Sequence, residues 1–294
     1  MRVFNEFPIG GHRWIVVPTP KGMRERGSEM TGELRIFPDK QSLSRAVAEA
    51  FADSANRLIS DHHRFSVALA GGGTPRLLCE LLGGELRKNI PWAHVHFFLS
   101  DERYVPRDHP DSNYRLVREA MLVHVAMPQE NLHFPRTDLE EPEAAARHYE
   151  QSLASFFAPA EPRFDWILLG LGEDGHLASL FPGSSALDET ERWVVAVKDS
   201  PKPPPVRLTM TLPLINLAGE VHFLVSGREK AEALRSSREG PPNRGQLPAH
   251  GVRPLEGALS WWVDEGAASG SQRFGARHVE AADETSWRVK RCGP

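Results

Sequence analysis

Three observations predict a three-layer α/β/α fold with a mostly parallel central sheet. Short runs rich in β-formers alternate with helical patterns along most of the chain. Several of these runs, such as FSVALA at 65–70 and FDWILLGL at 164–171, are apolar without alternation, the pattern of strands buried on both faces. Glycine-rich or charged motifs follow the strands directly, and in such sheets ligands sit at the carboxyl ends of strands near a switch in strand order.

The first 30 or so residues mix glycine, proline and charge without period. They predict a flexible extension over 1–32, ahead of a single domain over 33–268. Within that domain LRIF (34–37) is a strand, 39–60 a helix, FSVALA a strand, 75–82 a helix and HVHFFL (94–99) a strand. Helices follow at 114–125 and 142–157, then the strand FDWILLGL and strands at 193–197, 207–212 and 221–227. A helix over 228–235 leads to a loop over 236–253, where proline and glycine cluster. A last helix over 257–268 would carry Trp261 and Trp262 into the core, and 269–294 is a polar tail.

With 294 residues, 40% hydrophobic and 25% charged, the chain has the composition of a globular protein with a full-sized core. Lys and Arg number 35 against 39 Asp and Glu, a net charge of −4. That balance gives no global attraction to nucleic acid or an acidic membrane, so an anionic ligand needs a local basic pocket. The two cysteines, Cys79 and Cys292, are too few for a disulfide framework and lack zinc-site spacing, which predicts a reducing compartment. No signal-peptide core and no run of about 18 apolar residues is present, so the expected location is the cytoplasm.

Three strand ends carry the candidate chemistry. Gly71, Gly72, Gly73 and Thr74 join a strand to a helix, where glycines admit close approach and free N–H groups at a helix start attract an anion. Neither the Walker spacing nor GxGxxG is present, and a plain turn with Pro75 in the first helical turn accounts for the same residues. Asp101, Glu102 and Arg103 end HVHFFL, with Ser112 or Asp111 as a helix cap beyond. Charges at a buried strand end must pair or face a cleft, which makes the acids candidates for proton transfer and Arg103 a candidate for holding negative charge. Gly170, Gly172 and Gly175 surround Asp174 and His176 after FDWILL, and an imidazole titrating near neutrality is the leading base.

Other residues have simpler readings. His94 and His96 share a strand face without a third metal ligand at useful spacing. Ser179 is near His176, but the chain has no GxSxG elbow, which favours attack by water.

AGGGTPRLL, FFLSDERYVPRDHPDSNYRL, FDWILLGLGEDGHLASLFPGS, PPPVRLTMTLPLIN, SGREKAEAL and LPAHGVRPLEGALSWWVDEGAA occur in this order. Together they resemble the 6-phosphogluconolactonase family over residues 33–268, whose fold is similar to that of glucosamine-6-phosphate deaminase. The resemblance implies hydrolysis of 6-phosphoglucono-δ-lactone to 6-phosphogluconate, the second step of the oxidative pentose phosphate pathway, without metal or organic cofactor. It implies that residues 71–74 cradle the phosphate with Arg207 and Lys230, although Arg76 and Arg107 are also available. His176 then activates water, Arg103 sits near the reacting carbonyl, and Asp101 and Asp174 orient them. The family loop commonly reads SGGSTP, so Ala70 and Gly73 replace two serines while every backbone donor is retained.

Two rival readings share the site. An amino-sugar-phosphate deaminase has the same Asp-Gly-His theme, but continues IAFNEP where this chain has Leu177-Ala178-Ser179-Leu180-Phe181-Pro182. A non-catalytic phosphosugar-binding regulator would carry a DNA-binding module, and the residues before 33 show no two-helix pattern.

Overall fold

The computed structural model describes residues 15–17 and 32–271. Its first strand, β1 (Ile15–Val17), lies within the stretch expected to be a flexible extension and pairs antiparallel with β2 (Glu33–Phe37). Asp39 then caps α1 (Lys40–His62) by accepting the Ser42 N–H at 2.7 Å. Next come β3 (Phe65–Leu69), α2 (Gly73–Gly83), β4 (Val95–Leu99), the short β5 (Asp101–Arg103) and α3 (Asn113–Ala120). They are followed by β6 (Leu132–His133), α4 (Pro142–Phe157), β7 (Trp166–Leu169), β8 (Val194–Val197) and β9 (Arg207–Met210). The described chain ends with α5 (Leu212–Ile215), β10 (Glu220–Val225), α6 (Ala231–Glu239), β11 (Ala258–Asp264) and α7 (Glu265–Ala268).

The main sheet has the order β1-β2-β11-β10-β7-β3-β4-β6, parallel throughout except at β1. Alternate side chains of its strands enter two cores. Phe65, Val67, Phe97, Trp166 and Leu168 pack with α1, α2 and α3, whereas Ala68, Phe98, Ile167 and Leu169 pack with α4. This double burial explains why β3 and β7 read as unbroken apolar runs.

From β3 the chain proceeds outward to β4 and β6, then returns to lay β7 against the other side of β3. The direction of winding therefore reverses between β3 and β7, where a crevice opens at the carboxyl ends.

Two expectations about the sheet need correction. The strands at 193–197 and 207–212 do not join the parallel sheet: β8 and β9 pair with β5 in a separate antiparallel sheet of order β5-β9-β8. The last helix is mostly a strand, since β11 lies between β2 and β10 and only 265–268 are helical. Adjacent residues on a strand point to opposite faces, so Trp261 enters one core and Trp262 the other. On a helix the same two rings would lie about 100° apart and share one face poorly.

Smaller departures occur at helix ends. The helix expected to 125 stops at Ala120 before a 3₁₀ turn at Leu122–His124, and Arg228–Lys230 form another such turn before α6. A third spans Pro248–Gly251 in the expected loop. His94 lies in the turn Trp92–His94 rather than on a strand face with His96. His96 instead meets His133 across the edge of the sheet, Nδ1 to Nε2, at 3.2 Å. Among the described residues no helix is long and apolar enough to cross a membrane.

Phe51 of α1 joins the strands to the helices by packing on Phe65, Trp92, Phe97 and Trp166. Truncation of such a fully buried ring leaves a cavity, so Phe51→Ala should cost about 3–5 kcal/mol in urea unfolding. A change below about 1 kcal/mol would show that this cluster does not anchor the fold.

Candidate functional site

The crevice holds a cavity of about 230 Å³ lined by residues from the ends of β3, β7 and β10 and from β5 and β9. On the β3 side, Gly71 has no room for a side chain, because a Cβ there would lie 1.8 Å from Asn113 Oδ1. Gly72 has φ +111 and precedes α2 with no side-chain cap, so the first N–H groups of that helix are left for a ligand. α1 and α3, by contrast, are capped by Asp39 and Ser112.

On the β7 side, the chain folds back so that Gly172 N–H donates to His176 O at 2.8 Å and Gly175 N–H to Gly172 O at 3.0 Å. The turn places His176 Nδ1 2.5 Å from Asp174 Oδ1 and stacks the imidazole on Phe181. A Cβ on Gly172 would lie 1.9 Å from that Nδ1, so this backbone position must be bare for the pair to form. Burial opposes ionisation of Asp174, but hydrogen bonds and charge from His176, aided by Lys202, hold its carboxyl well below the usual range. With Nδ1–H directed at the carboxylate, Nε2 is the ring nitrogen available as a base.

β5 delivers the second group of predicted residues. Buried Asp101 accepts Ser179 Oγ at 2.7 Å on one carboxylate oxygen and Asn113 Nδ2 at 3.2 Å on the other. Ser179 is thus committed to Asp101 and does not stand as a nucleophile beside His176. Glu102 does not line the cavity and holds the start of α3, accepting N–H groups from Arg103, Asn113 and Tyr114 at 2.7, 2.7 and 2.8 Å. Burial pushes its carboxyl up to about 7 against those three donors, with the Asp101 charge adding to the rise. Arg103 lines the cavity and donates to Asp111 O at 2.7 Å, while its buried Nε has no protein partner among the described residues. A buried donor left without an acceptor costs about 1–3 kcal/mol, which a bound oxygen would relieve.

Arg207 and Lys230 reach the same cavity. The buried Arg207 guanidinium donates to the carbonyls of Lys202, Pro203 and Pro204, so it also fixes the segment before β9. Lys230 lies 3.6 Å from Glu173. The other arginines considered from sequence point elsewhere: Arg76 pairs with Glu80 and Glu119, and Arg107 covers the Tyr114 ring. The structure therefore brings together residues 71–74, Asp101, Arg103, His176, Arg207 and Lys230, with Asp174 behind the imidazole. Three residues of the site were not expected from the sequence: Asn113 as a wall of the cavity, Phe181 as the surface under His176, and Lys202. Lys202 had no visible signal, being one lysine within a proline run. Among the described residues no group of three or more His, Cys, Asp or Glu side chains is arranged to hold a metal ion.

An open parallel sheet with a small polar cavity at its switch point defines an α/β enzyme of small-molecule substrates. More narrowly, the chain belongs to the glucosamine-6-phosphate isomerase/6-phosphogluconolactonase family, whose model matches residues 38–261. It is 40% identical over 241 residues to a 6-phosphogluconolactonase of Synechocystis, covering 81% of this chain and 98% of that one. The solved 6-phosphogluconolactonase of Thermotoga maritima superposes with a TM-score of 0.69 at 32% identity, covering 79% of this chain and 99% of that one. A monomeric glucosamine-6-phosphate deaminase superposes at 0.66 with 25% identity, over 81% of this chain and 100% of that one, in keeping with the fold expected from the sequence.

Glu102 makes the stability of the fold depend on pH. An ordinary glutamate loses its proton near 4.5 and folded Glu102 near 7, so between these values the folded state holds the extra proton and stability falls as pH rises. Relative to Glu102→Gln, whose amide does not titrate, the wild type should lose about 1–3 kcal/mol between about pH 5 and about pH 8. Urea midpoints of both proteins that run parallel across this range would contradict the assignment.

Proposed function

We propose that the chain hydrolyses 6-phosphoglucono-1,5-lactone to 6-phosphogluconate in the cytoplasm, using a water molecule activated by His176. One observation carries this reading: a single small cavity has an uncapped glycine-rich helix start on one wall and a carboxylate-oriented imidazole on another. Its volume, about 230 Å³, falls below the roughly 300–1,000 Å³ of pockets for drug-sized ligands, which suits one monosaccharide phosphate. Family membership and the lactonase relatives support the substrate class.

In this mechanism the phosphate lies against the N–H groups of residues 71–74 at the start of α2, with Lys230 and Arg207 supplying positive charge. These cations give a chain of net charge −4 the local attraction it needs for a dianion. The lactone carbonyl then sits near Arg103. His176 Nε2 removes a proton from water as its oxygen bonds to the carbonyl carbon, and Asp174 stabilises the imidazolium through Nδ1–H. Arg103 stabilises the oxyanion, with Asp101 fixing the wall beside it through Asn113 and Ser179. Collapse of the tetrahedral species breaks the bond to the ring oxygen, which takes the proton from His176. The product is the open-chain acid, and neither a covalent intermediate nor a metal enters the balance.

The cytoplasmic assignment is supported by the chain's two cysteines, of which Cys79 is a buried free thiol. The proposed partners are limited to this phosphosugar lactone, with no nucleic acid or membrane.

The deciding assay follows 6-phosphogluconate formation from freshly made lactone against the uncatalysed blank. Wild type should far exceed the blank, and folded His176→Ala should lose about 10²–10⁴-fold in kcat/KM. Wild type equal to the blank would overturn the reading, and ammonia release from glucosamine 6-phosphate would replace it with deamination. Lys230→Met should raise KM about tenfold or more with a smaller change in kcat, as expected when a ground-state phosphate contact is lost. A fall in kcat at unchanged KM would place Lys230 at the reacting centre instead.

A further inference from the structure

The carboxylate that orients His176 also creates a difficulty. A carboxylate 2.5 Å from Nδ1 attracts positive charge to the ring, whereas a general base must be neutral to accept a proton from water. A third group is placed to offset this. The Lys202 ammonium lies 3.5 Å from His176 Nδ1 and 3.5 Å from Oδ2 of Asp174, the carboxylate oxygen that His176 does not contact. The side chain is half exposed, but its backbone is fixed. Ser200 Oγ donates to Lys202 O at 2.9 Å, the Lys202 N–H donates to Ser200 Oγ at 3.2 Å, and Arg207 Nη2 donates to Lys202 O at 3.1 Å.

We infer that Lys202 is a positioning residue for hydrolysis: its ammonium holds the free oxygen of Asp174 and opposes protonation of His176, so that Nε2 remains a base at neutral pH. Lys202 does not line the cavity and acts only through the pair in front of it. The arrangement separates two tasks. Asp174 fixes the tautomer and direction of the ring, and Lys202 removes part of the electrostatic cost of doing so. Other charges face the same space: Asp101 and Arg103 from β5, Arg207 from β9, and Lys230 from the turn before α6, with Glu173 engaged by Lys230. They are unchanged in Lys202 variants, so a difference between variants isolates this one charge.

The inference rests on His176 being the base, and its test separates the two claims. The His176 imidazole is titrated by ¹⁵N NMR in wild type, Lys202→Arg, Lys202→Met and Lys202→Glu, alongside pH profiles of kcat/KM corrected for spontaneous lactone opening. Loss of the positive charge in Lys202→Met should raise the imidazole midpoint and the acid limb of the profile together by about half to one pH unit. Lys202→Glu should raise them further, and Lys202→Arg should stay close to wild type. Lys202→Gln replaces Lys202→Met if the methionine perturbs folding.

A structural lysine would alter stability or lower activity equally at all pH values without moving the imidazole midpoint, and that result would overturn the inference. A wild type that titrates normally but shows no turnover above the blank would instead overturn the lactonase reading and leave the electrostatic ordering of the variants testable by NMR alone.

Discussion

The site depends on close approach of side chains to bare backbone on either side of the switch point. Asn113 occupies the space where Gly71 would carry a Cβ, and the His176–Asp174 pair occupies the corresponding space at Gly172. These contacts draw the β3 and β7 loops to opposite walls of one small cavity. Because β3 and β7 are neighbours whose residues pack into both cores, the loops that leave them inherit a rigid base. The antiparallel β5-β9-β8 sheet provides the remaining wall and brings Arg103 and Arg207 to the cavity.

Charge is handled by local pairing rather than by overall balance. Asp101 and Glu102 are buried side by side, an arrangement that is costly unless each carboxyl has donors. Ser179 and Asn113 serve Asp101, while the backbone at Arg103, Asn113 and Tyr114 serves Glu102. One strand end thereby fixes both Arg103 and the first residue of α3, which itself packs on the glycine loop. The carboxyl at 102 is thus taken up by the start of α3, while Asp101 and Arg103 line the cavity, which divides the Asp-Glu-Arg motif into unlike parts.

Much of this was legible in the sequence because each site segment begins where a buried strand ends. Unbroken apolar runs marked β3 and β7, and the glycines and charges after them marked the crevice. The antiparallel sheet was not legible, since β8 and β9 carry the same β-forming residues as parallel strands and pairing direction leaves little local trace. Trp261 and Trp262 misled for a related reason: a strand buried on both faces lacks the alternation that separates it from a helix. Lys202 was invisible because its position depends on a backbone segment held by Arg207, a contact between residues in a proline-rich stretch that has no periodic pattern.

In the proposed mechanism the glycine cradle and the His176–Asp174 pair receive opposite ends of one molecule. Titration of ¹⁵N-labelled protein with 6-phosphogluconate, observing the amides of residues 71–74 and the His176 imidazole together, tests it most directly. Both sets of signals should move with a single Kd, whereas inorganic phosphate should move the cradle amides and leave the imidazole largely unchanged. Separate affinities for the two sets of signals, or an imidazole unaffected by saturating product, would contradict it.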